Sequence, residues 1–261
     1  MKPCSQFPDH AGGGFTLVEI MVALLIMTVL AAGLTIPLAA QLQIRRTEET
    51  RRVLEEARDA LLGFAVAHGR LPCPALPETR GQEAFAPGGD ATNGACASFH
   101  GGLLPAAALG LAPLDAEGFA RDPYGTSANR IRYAVFGASA VNGVAHVLTR
   151  RNGMQSATLA GLGGAPHYLF ICASGALADG TGCGPPANQL TRRAAFVLLS
   201  AGANAHQAPT PGGDESRNLD ADPVFVSREA STVPGREFDD LVHWTAIHLL
   251  VNRMVAAHRL P

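Results

Sequence analysis

Lysine is almost missing from this chain of 261 residues: 19 arginines and one lysine stand against 22 acids, for a formal net charge of −2. With no basic excess there is no electrostatic footprint for nucleic acid, so that class of partner is excluded as the default. Charged residues of both signs make up only 16%, well below the usual quarter, which excludes whole-chain disorder and means that part of the chain avoids water. Catalytic signatures are missing too. There is no Gly-x-Ser-x-Gly elbow, phosphate-binding loop, His-Glu-x-x-His or dinucleotide glycine fingerprint. His243 and His248 are five apart and fall on different parts of a helical pattern, while His68, His146, His167 and His258 are isolated. No catalytic site is read, and an enzyme is not expected.

What is present is concentrated at the N-terminal end. Phe15 to Ala40 is a run of 26 residues with Glu19 as its single ionisable side chain. As a helix it extends about 39 Å, enough for a hydrocarbon core of about 30 Å with tilt. An ordinary secretory signal carries its small-residue cleavage site after a shorter apolar stretch. Here the segment Met1 to Gly14, ending in three glycines, stops where the run begins. Gly14 lacks a side chain, so extended backbone there can enter a protease cleft. An ionised carboxylate inside such a run is costly, about 2.5–3.5 kcal/mol at a bilayer centre, and needs a positive partner. No Lys or Arg lies between Phe15 and Arg45, so the nearest candidate partner for Glu19 is the free amine that a cut after Gly14 would leave on Phe15.

The junction Gly14-Phe15-Thr16-Leu17 with Glu19 fifth after the cut resembles the class III signal of type IV prepilins and type II secretion pseudopilins. That resemblance implies a leader of residues 1–14 removed by a prepilin peptidase and N-methylation of Phe15. It also implies Glu19 setting the register between subunits, and a protein-transport or pilus role at the inner membrane. Cleavage by conventional signal peptidase after Ala32 or Ala40, and a permanent anchor unrelated to pilins, are the competing readings. Arg45, Arg46, Arg51 and Arg52 lie beyond the run and only Lys2 precedes it, contrary to the positive-inside tendency, so orientation rests on the motif.

Beyond Ala40 the pattern predicts one helix continuing to about Val66, apolar on one face at Val53, Leu54, Ala57, Leu61 and Phe64, with Arg51–Glu55 and Arg52–Glu56 as i,i+4 pairs. Pro37 is expected to kink or locally melt its first half. Leu71-Pro72-Cys73-Pro74 should stop it. Residues 75–102 read as a loop. Residues 131–136, 144–149, 167–173, 195–200 and 223–227 read as strands, with antiparallel pairing expected from the short gaps. Residues 238–260 read as a closing amphipathic helix through Leu241, Trp244, Ile247, Leu250, Val251 and Met254. Two turns resemble those of pseudopilin heads: Asp122-Pro123-Tyr124-Gly125, and the Ser-x-Gly turn that begins at Ser200.

Cys4 falls in the leader, leaving Cys73, Cys96, Cys172 and Cys183 in an exported head. An even count in an oxidising compartment suggests two disulfides. Three pairings are open, and proximity favours Cys73 with Cys96 and Cys172 with Cys183. A four-thiol zinc site is the rival, but no Cys-x2-Cys pair is present. Asp214, Glu215, Asp220, Asp222, Asp239 and Asp240 gather oxygen donors around the last loop; of these, Asp214, Asp220, Asp239 and Asp240 are the set expected for calcium, if any cofactor binds. Some secretion pseudopilins bind calcium in a comparable loop.

The reading is therefore an α+β, pilin-like chain in which a long N-terminal helix, membrane-spanning in its first half, packs on an antiparallel β-sheet head and a C-terminal amphipathic helix follows. Its parts are a leader (1–14), a transmembrane and assembly helix (15–40), the amphipathic half of the same helix (41–66) and a periplasmic head (67–261). The expected partners are the peptidase, other pilin or pseudopilin subunits and the inner membrane. The function expected is that of a pseudopilin or minor pilin. The alternative is a signal-anchored periplasmic binding protein that does not polymerise.

Overall fold

The computed structural model describes residues 15–260, side chains at 31–40 excepted. The leader and Gly14 therefore lie outside the described residues. The fold is mixed α+β, with helix α1 (Leu17–His68) first and helix α4 (Ile247–Ala256) last. The chain divides into two compact units, Met1–Arg45 and Arg46–Pro261.

In the first unit, α1 displays its apolar side chains outward: Phe15, Leu17, Val18, Met21, Leu25 and Met27 are all 65% exposed or more. Among the described residues no helix is long and apolar enough to cross a membrane. The side chains described in the apolar run end at Leu30, short of the 26-residue run in the sequence.

In the second unit the continuation of α1 buries Leu54, Ala57, Leu61 and Ala65 in the main core, with Val53, Leu62 and Val66 packed against it. The expected i,i+4 ion pairs do not form; Arg51 bonds Glu48 at 2.7 Å instead. The helix ends two residues later than expected and one element earlier in cause. Gly69, at φ 69°, takes the left-handed position, and its N–H bonds the Ala65 carbonyl, so a glycine C-cap ends the helix before Pro72 is reached.

Six strands make one sheet: β1 (Gly102–Leu103), β2 (Arg132–Val135), β3 (Leu169–Cys172), β4 (Gln189–Ser200), β5 (Val224–Val226) and β6 (Leu241–Ala246). The order is β1-β2-β4-β3-β5, with β6 also on β4. Every pair is antiparallel except β3 with β5, which is parallel. That departs from the all-antiparallel expectation, because β4 is inserted between β3 and β5 in sequence and pairs with β3 itself.

Three further elements differ. Residues 144–149 are turn, not strand: Asn142, Gly143 and His146 all have positive φ and reverse the chain, while Val147 and Leu148 enter the core from the turn. Residues 241–246 are strand, not helix. Leu241 and Trp244 suit a helical stripe, yet Val242, Trp244 and Thr245 are strand formers, and the backbone pairs along β4 from Ala194 to Ser200. Only from Ile247 does the helical stripe hold, burying Ile247, Leu250 and Met254. Helix α2 (Gly153–Gly164) has no counterpart in the sequence reading. Four glycines weaken its helical signal, and Thr158 interrupts it at φ 64°, ψ 158°.

Two disulfides close the loops, Cys73–Cys96 and Cys172–Cys183. They span 23 and 11 residues, so each removes roughly 3 kcal/mol of loop-closure freedom from the unfolded chain.

Candidate functional site

At the head of α1, Thr16 and Glu19 hold each other. The Glu19 N–H donates to Thr16 Oγ1 at 3.2 Å, the Thr16 N–H donates to Glu19 Oε2 at 3.4 Å, and the Ile20 N–H donates to the Thr16 carbonyl. This is a reciprocal capping box, which satisfies donors that a helix start otherwise leaves free. Glu19 thus has a local structural use in addition to the one expected of its charge.

The second site lies in the head, where the two turns singled out in the sequence meet. Ser200 Oγ, at the end of β4, donates to Asp122 Oδ2, and the Tyr124 N–H donates to Asp122 Oδ1 at 2.9 Å. Asn129 Nδ2 bridges from Asp122 Oδ2 at 3.2 Å to the Gly202 carbonyl at 2.6 Å. Gly202 has φ 64°, and a Cβ there would lie 2.4 Å from Asp239 Oδ1, so both conformation and space require glycine.

Below this turn, the Ala203 and Asn204 N–H groups donate to Asp239 Oδ2 at 2.8 and 3.1 Å. Glu215, in the short helix α3 (Asp214–Arg217), accepts from Asn204 Nδ2 and from the Asp239 N–H. Asn218 Nδ2 donates to Asp240 Oδ2 at 2.7 Å, while its Oδ1 accepts from the Val226 N–H. Glu215, Asp239 and Asp240 each offer a carboxylate oxygen within 4.8 Å of the others. Asp239 Oδ1 is buried without a hydrogen-bond partner.

Burial dominates the electrostatics. It pushes Asp240 up to about 7, against the Asn218 hydrogen bond and with Glu215 and Asp239 adding repulsion. It also raises Asp239, against the Asn204 N–H, and Asp122, against the Ser200 hydroxyl. Arg132 is itself lowered by burial and does not offset the cost to Asp240.

A family model described as the prokaryotic N-terminal methylation motif matches residues 11–35. The chain carries the prepilin-type signature. No curated protein and no solved structure matches it. The signature implies processing by a prepilin peptidase and assembly with other pilin-type subunits. The matched segment includes Gly14, Phe15 and Glu19, of which Gly14 lies outside the described residues.

The four acids expected around the last loop separate. Asp239 and Asp240 come together and Glu215 joins them. Asp214 instead accepts from the Gly175 N–H and from Arg228, and Asp220 pairs with Arg217. The sequence reading missed Asn129, Asn204 and Asn218, whose roles depend on contacts between distant segments. The one local signal was the two turns themselves.

The raised carboxylates set a direction for pH dependence. A carboxyl whose folded pKa lies above its unfolded value binds more protons when folded, so its contribution is full below about pH 4 and is lost as pH rises through about 7. A chain limited to Arg46–Pro261 in chelator is therefore expected to melt higher at pH 5 than at pH 8, by on the order of 5 °C. Asp240→Asn should remove most of that difference in a thermal melt; an unchanged pH profile in the variant would contradict the assignment.

Proposed function

We propose that this chain is a prepilin-type assembly subunit, a pseudopilin or minor pilin of a type II secretion pseudopilus or a type IV pilus. A prepilin peptidase cuts after Gly14 and Phe15 becomes the methylated N-terminus. Residues 15–40 sit in the inner membrane, and the head, with the carboxyl-terminal half of α1, stands on the periplasmic side. The methylation motif at residues 11–35 carries the reading. Support comes from the outward-facing apolar side chains between Phe15 and Leu30, and from the two disulfides, which suit an exported head. Glu19 then has two duties, the cap on its own helix and the charge partner of a neighbouring Phe15 amine.

A divalent cation at the Ser200–Gly202 turn is part of the same proposal. Three carboxylates and an unpartnered buried oxygen suit a hard cation with oxygen ligands, and calcium would neutralise acids that burial now keeps costly. Glu215, Asp239 and Asp240 would hold it, in place of the Asp214 and Asp220 expected from sequence.

The two duties of Glu19 separate by substitution. Glutamine can serve in a capping box but carries no charge, whereas valine can do neither. Glu19→Gln and Glu19→Val are both expected to leave membrane insertion and removal of residues 1–14 intact while reducing recovery in assembled filaments by about tenfold or more. Assembly of Glu19→Gln at the wild-type level would remove the charge pairing; assembly of both would favour an anchored binding protein that never polymerises. For the cation, calcium should raise the melting temperature of Arg46–Pro261 at pH 7.5 by about 3 °C or more, and Asp239→Asn should abolish the shift. Identical melts with calcium and with chelator would discard it.

A further inference from the structure

A groove of about 410 Å³ lies between the later turns of α1, β6 and α4. Its apolar wall is formed by Leu62, Trp244 and Leu249, and Leu249 stays 54% exposed on a helix whose Ile247, Leu250 and Met254 are buried. The lining comes from the two helices and from Trp244 and Thr245 of β6, with nothing from β4, so the groove opens over β6 and away from its one strand neighbour. That side of β6 is a free sheet edge. Among the described residues β6 pairs with β4 alone, and no further backbone hydrogen bond reaches residues 241–246. A strand edge with unpaired N–H and C=O groups is a template for one more strand.

Two polar groups of the groove lack partners. Thr245 is buried, and its hydroxyl makes no hydrogen bond. Alternate residues of a strand share a face, and His243, two positions earlier, lies within electrostatic reach of Arg58 and Asp59 on α1. The Thr245 side chain therefore stands on the face of β6 turned toward α1 and the groove. Rotation about its first side-chain torsion exchanges hydroxyl and methyl, which lets the hydroxyl meet an acceptor that enters there; within the chain nothing offsets its desolvation. Arg253, on the α4 rim, closes no ion pair among the described residues, whereas Arg58 on the α1 rim is held by Asp59 at 2.8 Å. The uncompensated charge of the groove is positive.

We propose that this groove takes an extended peptide segment of another protein, added as a strand to the free edge of β6, with an apolar side chain in the groove and an acidic one on Arg253. Each part of the ligand answers one observation. Its backbone supplies the partners that the outer edge of β6 lacks and an acceptor for the Thr245 hydroxyl, as in other strand additions. Its apolar side chain covers Leu249 and Leu62, and its carboxylate complements the arginine that the chain leaves unpaired. Because alternate side chains of a strand share a face, the apolar and acidic residues stand two positions apart in the segment. An apolar acid without a peptide backbone satisfies the arginine but leaves the sheet edge open. The proposal does not depend on the assembly reading.

The test uses the full chain in lipid nanodiscs, with empty nanodiscs as the blank. The probe is the end-blocked peptide Thr-Asp-Thr-Leu-Thr-Asp-Thr, which presents acid, leucine and acid on one face in either strand direction; its counterpart carries lysine for aspartate. Trp244 is the single tryptophan of the chain, so its emission reports binding, and hydrogen exchange of residues 241–246 reports strand addition. The acidic peptide is expected to saturate below about 1 mM and to slow exchange at 241–246, and the lysine peptide to bind about fivefold or more weakly. Arg253 is exposed, and Arg253→Glu should reverse that preference without disturbing the core. Thr245→Val should weaken binding by about threefold or more while leaving the melting temperature equal or higher. No saturable signal, equal binding of the two peptides, an unreversed preference in Arg253→Glu, undiminished binding to Thr245→Val or unchanged exchange at 241–246 would each overturn the proposal. Saturable binding of decanoate in place of the acidic peptide would assign the groove to free apolar acids, and a Trp244 signal that follows protein concentration alone would assign it to a second copy; either would overturn it too.

Discussion

Twelve large apolar side chains between Phe15 and Leu30 stand between 49% and 80% exposed on α1, and the rest of the account follows from the need to cover them. At about 25 cal/mol per Å² of apolar surface, water is a poor solvent for such a helix, and a patch of this size on a folded chain marks a site of interaction with lipid or protein. The core of the head does not account for these side chains, because it draws on Leu54, Ala57, Leu61 and Ala65 of the later turns of the same helix. On the proposed reading one helix serves two surroundings in succession, lipid along its first turns and the core of the head along its later ones.

The capping box places a second constraint at the start of that helix. A helix start has donors to satisfy, and in an apolar surrounding water does not supply the acceptors. Thr16 and Glu19 supply them locally. On the proposed reading, removal of residues 1–14 puts a cationic amine one residue before the same box, so that the carboxylate answers to a hydrogen-bonding need and a charge at once. In the head, acids play a different part. Burial raises the pKa values of Asp122, Asp239 and Asp240, so the turn after Ser200 is where pH is expected to act on stability.

The sequence showed most where the physics is local. Gly14, Phe15 and Glu19 stand out because an apolar run with one acid has few explanations, and the cysteines paired with their nearer partners because short loops close most readily. The helical stripe through Leu54, Ala57 and Leu61 was plain for the same reason. Legibility failed where neighbours distant in sequence decide. Leu241 and Trp244 satisfy a helical period, but the open edge of β4 recruits them as a strand. Glycine-rich α2 had no propensity to announce it. Asp122 and Ser200 were each read as a turn residue, yet they bond each other across 78 positions, and Asn129 reaches Gly202 across 73. No local pattern encodes such a contact.

The central claim is that the apolar helix is released at the Gly14–Phe15 junction and kept, rather than removed. It is tested most directly by N-terminal sequencing and intact mass of the membrane-extracted protein, made with and without a prepilin peptidase. The account predicts a chain beginning at N-methylated Phe15 only when the peptidase is present. An intact leader in both preparations, or a chain beginning after Ala32 or Ala40, would contradict it.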